Sequence, residues 1–280
     1  MTSPRITLND GHTIPQLGFG VWQVAPAEAE RVVADALQTG YRHIDTAQMY
    51  QNESGVGRAV AASGLPRPDV FLTTKVNNNA HRPADATASI ERSLEALGTD
   101  YIDLLLIHWP LPTKYDGDFV STWEALIAAR EAGHARSIGV SNFQPAHLAA
   151  LHPTGVTPAV NQIEVHPQFG NEDVRAANAA QGTATEVWSP LGQGTLLTDP
   201  VITAIAEGLG RTPAQVIIRW HLERGDIVFP KTVTASRMEE NADVFDFQLS
   251  AEDVAAISGL DQGEAGRIGP NPDVMDWIPA

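Results

Sequence analysis

The sequence predicts an α/β fold, a (β/α)8 barrel of the TIM type with an N-terminal β-hairpin plug and an irregular C-terminal tail. Two observations predict it. Eight short β-branched or apolar runs alternate with amphipathic helical stretches along 280 residues, and no long linker or low-complexity segment interrupts them. Eight βα units in a chain of this length suit a barrel closing on itself as one domain over 1–280. A doubly wound open sheet is the alternative arrangement of the same alternation.

The opening RITLNDGHTIP reads as two short strands around Asn9-Asp10-Gly11, a hairpin that plugs one end of the barrel. Strands are then expected over 17–20, 43–45, 71–75, 102–108, 135–140, 159–164, 184–189 and 226–229. The helices between them fall over 26–39, 56–62, 83–97, 122–132, 145–151, 171–181, 213–223 and 236–244. Several open on a proline or a polar residue, and Gly40, Gly64, Gly98, Gly133 and Gly182 stand where helices should stop. From Asp261 onward the chain is rich in Gly, Pro and Asp, carries Trp277, and shows no helical period, so it reads as a tail folded over the surface.

Composition narrows the function classes. The chain has no cysteine, which excludes a disulfide, a thiolate zinc site and a cysteine nucleophile, and suits a reducing cytoplasm. The start MTSPRITLND has neither a basic n-region nor an apolar core, and no run of apolar residues is long enough to span a bilayer. A net charge of -16 would repel a phosphate backbone, so neither nucleic acid nor membrane is an expected partner. The chain holds only three lysines, Lys75, Lys114 and Lys231, against fifteen arginines. A lysine retained in such a chain invites a chemical question, because its pKa shifts readily and that of arginine does not.

In a barrel, reactive groups gather at the carboxyl ends of strands. Here the second strand ends in Asp45 with Tyr50 just beyond it, the third ends in Lys75, and the fourth ends in His108. An ammonium beside a phenol favours the phenolate and would lower the tyrosine pKa, while a carboxylate holds the ammonium in place. A neutral histidine nearby can hydrogen-bond a carbonyl oxygen. That chemistry suits reduction of a carbonyl, with hydride from one side and a proton from the other. The bland reading of the same residues is an ion pair, a buried histidine and a rim aromatic.

No G-x-G-x-x-G follows a strand; GVG at 55–57 and LGQG at 191–194 have the wrong pattern for a Rossmann dinucleotide site. Phe229-Pro230-Lys231-Thr232, with Arg237 and Asn241 opening the next helix, offers a local anion pocket in an otherwise acidic chain. The bland alternative is two surface cations on a helix.

Five ordered motifs then point to one family. They are GYRHIDTA at 40–47 continuing to Glu53 and Gly57, IHWP at 107–110, SIGVSNF at 137–143, VNQIEVHP at 160–167, and FPKT at 229–232 with Arg237. With them the chain resembles the aldo-keto reductases over nearly its whole length, especially the bacterial group that includes 2,5-diketo-D-gluconate reductases. The resemblance implies a barrel that binds NADPH (NADP+) across its carboxyl end and a tetrad of Asp45, Tyr50, Lys75 and His108. Tyr50 would be the general acid, Lys75 paired with Asp45 would lower its pKa, and His108 would orient the carbonyl of a small-molecule substrate.

By the same resemblance Ser141, Asn142 and Gln162 would bond the nicotinamide carboxamide and Trp188 would stack on its ring. Ser189, Leu191 and Gln193 would line the pyrophosphate, and Lys231, Thr232 and Arg237 would surround the adenosine 2'-phosphate. Gly20, Val21, Val233, Glu240 and Asn241 complete the implied cofactor set, and Trp22 and Trp109, with Tyr50 and His108, the substrate set. No metal is implied, and a monomer is.

One position departs from the family pattern: Val76-Asn77-Asn78-Asn79 stands where many relatives place an aromatic, implying a polar substrate wall. Many relatives carry tyrosine where Trp188 stands, but the diketogluconate group is similar in having tryptophan, and stacking survives either way. Glu164 and His166 are assigned a structural role. Two other classes stand beside this reading. One is a barrel hydrolase or isomerase working through Asp45, Asp103 and Glu164 as paired carboxylates, or through a bound metal. The other is a non-catalytic NADPH-binding protein, since some members of the family serve as channel subunits or lens crystallins.

Overall fold

A computed structural model describes residues 3–279. The hairpin pairs β1 (Arg5–Thr7) with β2 (Thr13–Pro15) antiparallel, turning at Gly11, whose φ of 87° lies in the left-handed region. Its Leu8 and Ile14 pack against Phe71, Leu104, Leu106, Val160 and Ile227 at the lower end of the barrel. The expected plug is therefore present.

Eight parallel strands follow: β3 (Phe19–Gly20), β4 (His43–Asp45), β5 (Phe71–Val76), β6 (Ile102–Ile107), β7 (Ala135–Ser141), β8 (Val160–Glu164), β9 (Ala184–Trp188) and β10 (Ile227–Val228). They hydrogen-bond in chain order, and a parallel bridge between Leu17 and Val228 joins the last to the first. The open-sheet alternative fails at that bridge: Gly18 donates to the Val228 carbonyl at 2.8 Å and Val228 to that of Gln16 at 2.9 Å.

The strands are buried on both sides, and their period of two decides which side chains face the axis. Phe71, Leu104, Val160 and Ala184 touch the hairpin plug and so point inward. Counting by twos from them brings Lys75, His108, Gln162, Glu164, Glu186 and Trp188 inward as well. The alternate residues, such as Leu72, Leu105, Ile138, Ile163 and Val187, join the larger core between sheet and helices.

That core is closed by α1 (Ala29–Thr39), α2 (Glu53–Ala62), α3 (Pro83–Leu97), α4 (Val120–Glu131), α5 (Pro145–Leu151), α6 (Glu172–Ala180), α7 (Pro200–Leu209), α8 (Pro213–Glu223), α9 (Ala235–Ala242) and α10 (Ala251–Ser258). Two of these, α7 and α10, are additional to the expected eight. The five glycines expected to stop helices all have positive φ. No helix among the described residues is long and apolar enough to cross a membrane.

The tail is not simply laid on the surface. After a short 3-10 turn at Gly263–Gly266, Ile268, Gly269 and Pro270 enter the barrel mouth. Farther on, Asn78 Nδ2 donates to the Trp277 carbonyl at 3.0 Å. Ala280 lies outside the described residues.

Candidate active site

The carboxyl ends of the strands open into a cavity of about 970 Å³. Lys75, inward at the end of β5, has no solvent exposure. Its ammonium donates to Asp45 Oδ1 and Oδ2 at 2.8 and 2.9 Å and to the Thr46 carbonyl at 2.8 Å. Those contacts account for its three N–H donors. Burial is the largest single influence on the Lys75 pKa and lowers it, but the Asp45 charge and hydrogen bond, with Tyr50 and Glu186, together outweigh it and the net direction is upward.

Tyr50 is carried by the 3-10 turn Gln48–Tyr50 just above β4. Asn52 staples this segment: it accepts from Thr46 Oγ1 at 2.8 Å and donates to the Val21 and Val24 carbonyls at 2.9 and 3.2 Å. The ring centroid of Tyr50 lies 5.1 Å from Lys75 Nζ and 5.7 Å from the His108 ring, edge-on. Burial pushes the phenol up to about 12, and the Lys75 charge offsets only part of that rise. The net lowering expected from the ammonium alone is thereby corrected, because desolvation is the larger effect. Tyr50 holds its proton at neutral pH and is available as a donor.

His108 is buried but for its edge on the cavity. Burial foremost, then the Lys75 charge, holds its pKa well below the usual value, so the ring is neutral. Its Nδ1 is enclosed without a partner. The single N–H of a neutral imidazole is therefore best used at Nε2, toward the cavity.

The residues expected at the nicotinamide end are hydrogen-bonded to their neighbours. Trp188 Nε1 donates to Asn142 Oδ1 at 2.8 Å, and Asn142 Nδ2 to the His108 carbonyl at 3.0 Å. Asn142 adopts a φ of 65°, which asparagine tolerates better than most residues. Gln162 Nε2 donates to Asp45 Oδ2 and to Glu186 Oε2, both at 2.8 Å. With both amide hydrogens spent on carboxyls, its oxygen is the polar atom left for the cavity.

Ser189, Leu191 and Gln193 line the cavity on the turn after β9, and Ser189, Gly192, Gln193 and Gly194 all have positive φ there. Lys231, Thr232, Arg237, Glu240 and Asn241 line its far end. Glu240 is tied to Thr212 Oγ1 at 2.7 Å. Lys231 and Arg237 are exposed, and neither has a carboxylate partner among the described residues. In so acidic a chain, two unpaired cations at one end of a long cavity fit a phosphate-bearing dinucleotide.

Not every expected residue is on the wall. Gly20, Trp22 and Trp109 are, whereas Val21 is fully buried in the core and Val233 lies exposed outside the lining. The polar wall expected from Asn77-Asn78-Asn79 is also absent. Asn78 is buried, accepts from Tyr115 Oη at 2.9 Å and anchors the tail instead.

Nor do the carboxylates of the hydrolase alternative assemble. Asp103 faces away from the axis into Arg67 and Arg136, at 2.8 and 3.6 Å. Glu164 accepts the backbone N–H of Ile268 and Gly269 at 2.6 and 2.9 Å and lies 3.1 Å from His166 Nε2. Sequence reasoning missed the tail's share of the site. No local signal marked it, because the requirement for glycine at 269 arises only in the fold, where a Cβ would stand 2.3 Å from the Trp188 ring.

Residues 16–262 match the profile of the aldo/keto reductase family. The chain belongs to this family. An aldo-keto reductase of Mycolicibacterium smegmatis is 55% identical over 276 residues, covering 98% of this chain and 99% of that one. A methylglyoxal reductase DkgA from Yersinia pestis is 48% identical over 276 residues, covering 97% of each. The crystal structure of a Gox0644 point mutant in complex with NADPH superposes with a TM-score of 0.94 at 44% identity, over 99% of this chain and all of that one. Aldo/keto reductase membership thus agrees with the barrel, the buried Lys75–Asp45 pair and the long cavity.

Proposed function

We propose that the protein is an NADPH-dependent reductase of small carbonyl compounds, with Asp45, Tyr50, Lys75 and His108 as its catalytic set. The observation that carries this reading is the Tyr50 phenol, proton-bearing at neutral pH, placed in one cavity with a neutral His108 and above the Lys75–Asp45 pair. NADPH, when bound, supplies the hydride. His108 donates a hydrogen bond to the substrate carbonyl oxygen and so fixes which face is presented. Tyr50 gives that oxygen its proton, and the Lys75 charge stabilises the phenolate left behind. Gln162, Asn142 and Ser141 hold the carboxamide, Trp188 supports the ring, and Lys231, Thr232 and Arg237 take the 2'-phosphate.

The preferred substrates are compact, uncharged aldehydes and dicarbonyls of the methylglyoxal type. The name of the Yersinia pestis relative supports this. So does the charge of the wall: among the described residues Lys231 and Arg237 are its only cations, and this reading assigns both to the cofactor. A substrate carboxylate would lack an ionic partner beside Trp22, Met49, Trp109 and Ile268. A cytoplasmic setting suits the cysteine-free chain, and family resemblance favours a monomer.

The test is NADPH consumption with methylglyoxal, neutral aldehydes and keto-sugar acids, run beside Tyr50→Phe. The wild type should turn over the neutral carbonyls with the higher kcat/KM. Tyr50→Phe should lose about two to four orders of magnitude in kcat and still bind NADPH. A fully active Tyr50→Phe protein refutes the site, and keto acids as the better substrates refute the preference.

A further inference from the structure

Glu186 lies on β9, fully buried in the barrel interior, and the reaction described above does not use it. Its Oε2 accepts one Gln162 amide hydrogen, while the other goes to Asp45 Oδ2, each at 2.8 Å. We propose that Glu186 is a positioning residue for cofactor binding and hydride transfer, holding the Gln162 amide so that an acceptor faces the nicotinamide carboxamide. The proposal rests on the reductase reading of the same site.

The geometry supplies the reason. Gln162 offers one acceptor and two hydrogens, and with Asp45 and Glu186 both beneath it both hydrogens have acceptors. Turned over, it would set its oxygen against the Asp45 carboxylate and show hydrogens to the carboxamide. Asp45 alone would leave one amide hydrogen without an acceptor in a dry interior, which weakens the preference between the two orientations. The Asp45 carboxylate thus rejects a reversed amide, and Glu186 Oε2 gives the remaining amide hydrogen its acceptor.

Glu186 does this as an uncharged acid. The groups facing it are His43 and Asp45 from β4, Tyr50 from the turn above β4, Lys75 from β5 and Gln162 from β8. Lys75 already spends its donors on Asp45 and Thr46. Glu186 Oε1 has no hydrogen-bond partner, and His43 Nε2 lies 3.5 Å from it. His43 cannot neutralise it, since burial lowers that ring to about 3. An ionised Glu186 would put a second carboxylate charge beside a single ammonium. Burial, then repulsion from Asp45, accordingly pushes its pKa up to about 8. Ionisation above that pH adds negative charge beside Lys75 and opposes formation of the Tyr50 phenolate.

The test compares wild type, Glu186→Gln and Glu186→Met, using NADPH titration by tryptophan fluorescence and kcat with methylglyoxal from pH 6 to 10. Glu186→Met, which removes the acceptor, should weaken NADPH binding about tenfold, and Glu186→Gln, which keeps one, should recover most of that loss. Wild-type kcat should fall through an inflection near pH 8 that Glu186→Gln lacks, a change that a merely structural role would not produce. If Glu186→Met does not fold, the Glu186→Gln pH profile decides alone. Retention of the inflection in Glu186→Gln, or wild-type NADPH affinity in Glu186→Met, overturns the proposal. If Tyr50→Phe is inactive while the Glu186 variants behave as wild type, this inference fails and the reductase reading stands. An active Tyr50→Phe removes that reading itself.

Discussion

The Glu164 carboxylate accepts the backbone N–H of Gly269 at 2.9 Å, tying the inner rim of the barrel to a tail more than a hundred residues away in sequence. The neighbouring N–H of Ile268 completes the latch, and the absence of a side chain at 269 lets the tail lie against Trp188. Part of the cavity mouth is therefore built by a segment with no regular structure.

Loosening the latch should affect binding more than chemistry. Hydrogen bonds to a charged acceptor are worth about 1.5–3 kcal/mol each, so Glu164→Gln is expected to raise the methylglyoxal KM about tenfold, with kcat within about twofold. Gly269→Ala should do the same by steric displacement. Steady-state kinetics check both, and an unchanged KM in both variants removes the latch from substrate binding.

Lys231→Ala and Arg237→Ala should each weaken NADPH by about ten- to a hundredfold, the cost of one charge-assisted contact to a phosphate. NADH lacks the 2'-phosphate and should be almost unaffected. Fluorescence titration with both cofactors distinguishes the cases, and equal losses would remove these cations from that role.

Lys75→Met leaves Asp45 as an uncompensated charge inside the barrel and should cost about 3–5 kcal/mol of stability, together with nearly all turnover. Adding Asp45→Asn should return part of the stability and none of the activity. Denaturant unfolding beside an assay reads both quantities. A double variant no more stable than the single one contradicts the pairing argument.

Acid should destabilise the fold through histidines buried uncharged. Burial lowers His43 to about 3, His81 to about 4 and His108 well below 6.5. Between about pH 6.5 and pH 4 these rings bind more protons in the unfolded chain than in the folded one, so their share of the stability rises with pH across that window and is lost as pH falls, whereas the raised carboxyls Asp45, Glu53, Asp103 and Glu186 contribute the opposite slope. Each such histidine contributes a slope of at most about 1.4 kcal/mol per pH unit. NMR titration of the ring protons in the folded protein checks each contribution, and a ring that titrates near 6.5 there makes none.

Much of the fold was legible because its signals are local. Period-two apolar runs, prolines opening helices and glycines closing them mark most of the βα units, and the structure places them within a few residues. The two helices not expected had local signals as well. Asp199 before Pro200 caps α7 by accepting from Val201 and Ile202 N–H, and Ser250 with Asp253 forms a capping box on α10.

The sequence by itself determined the strand-end chemistry: an Asp, a Lys and a His at the ends of three successive strands, with a Tyr one loop away. A parallel barrel brings consecutive strand ends to one rim, so position along the chain implies nearness in space. Only the tertiary structure decided what joins that rim from afar and what charge each group carries. Asn78 lies off the pocket and holds the tail, Gly269 entered the pocket, Glu186 took a place beneath Gln162, and burial overrode the lysine in setting Tyr50. These outcomes depend on which groups are desolvated together across distant segments, and that balance of burial and charge exists only once the barrel has closed.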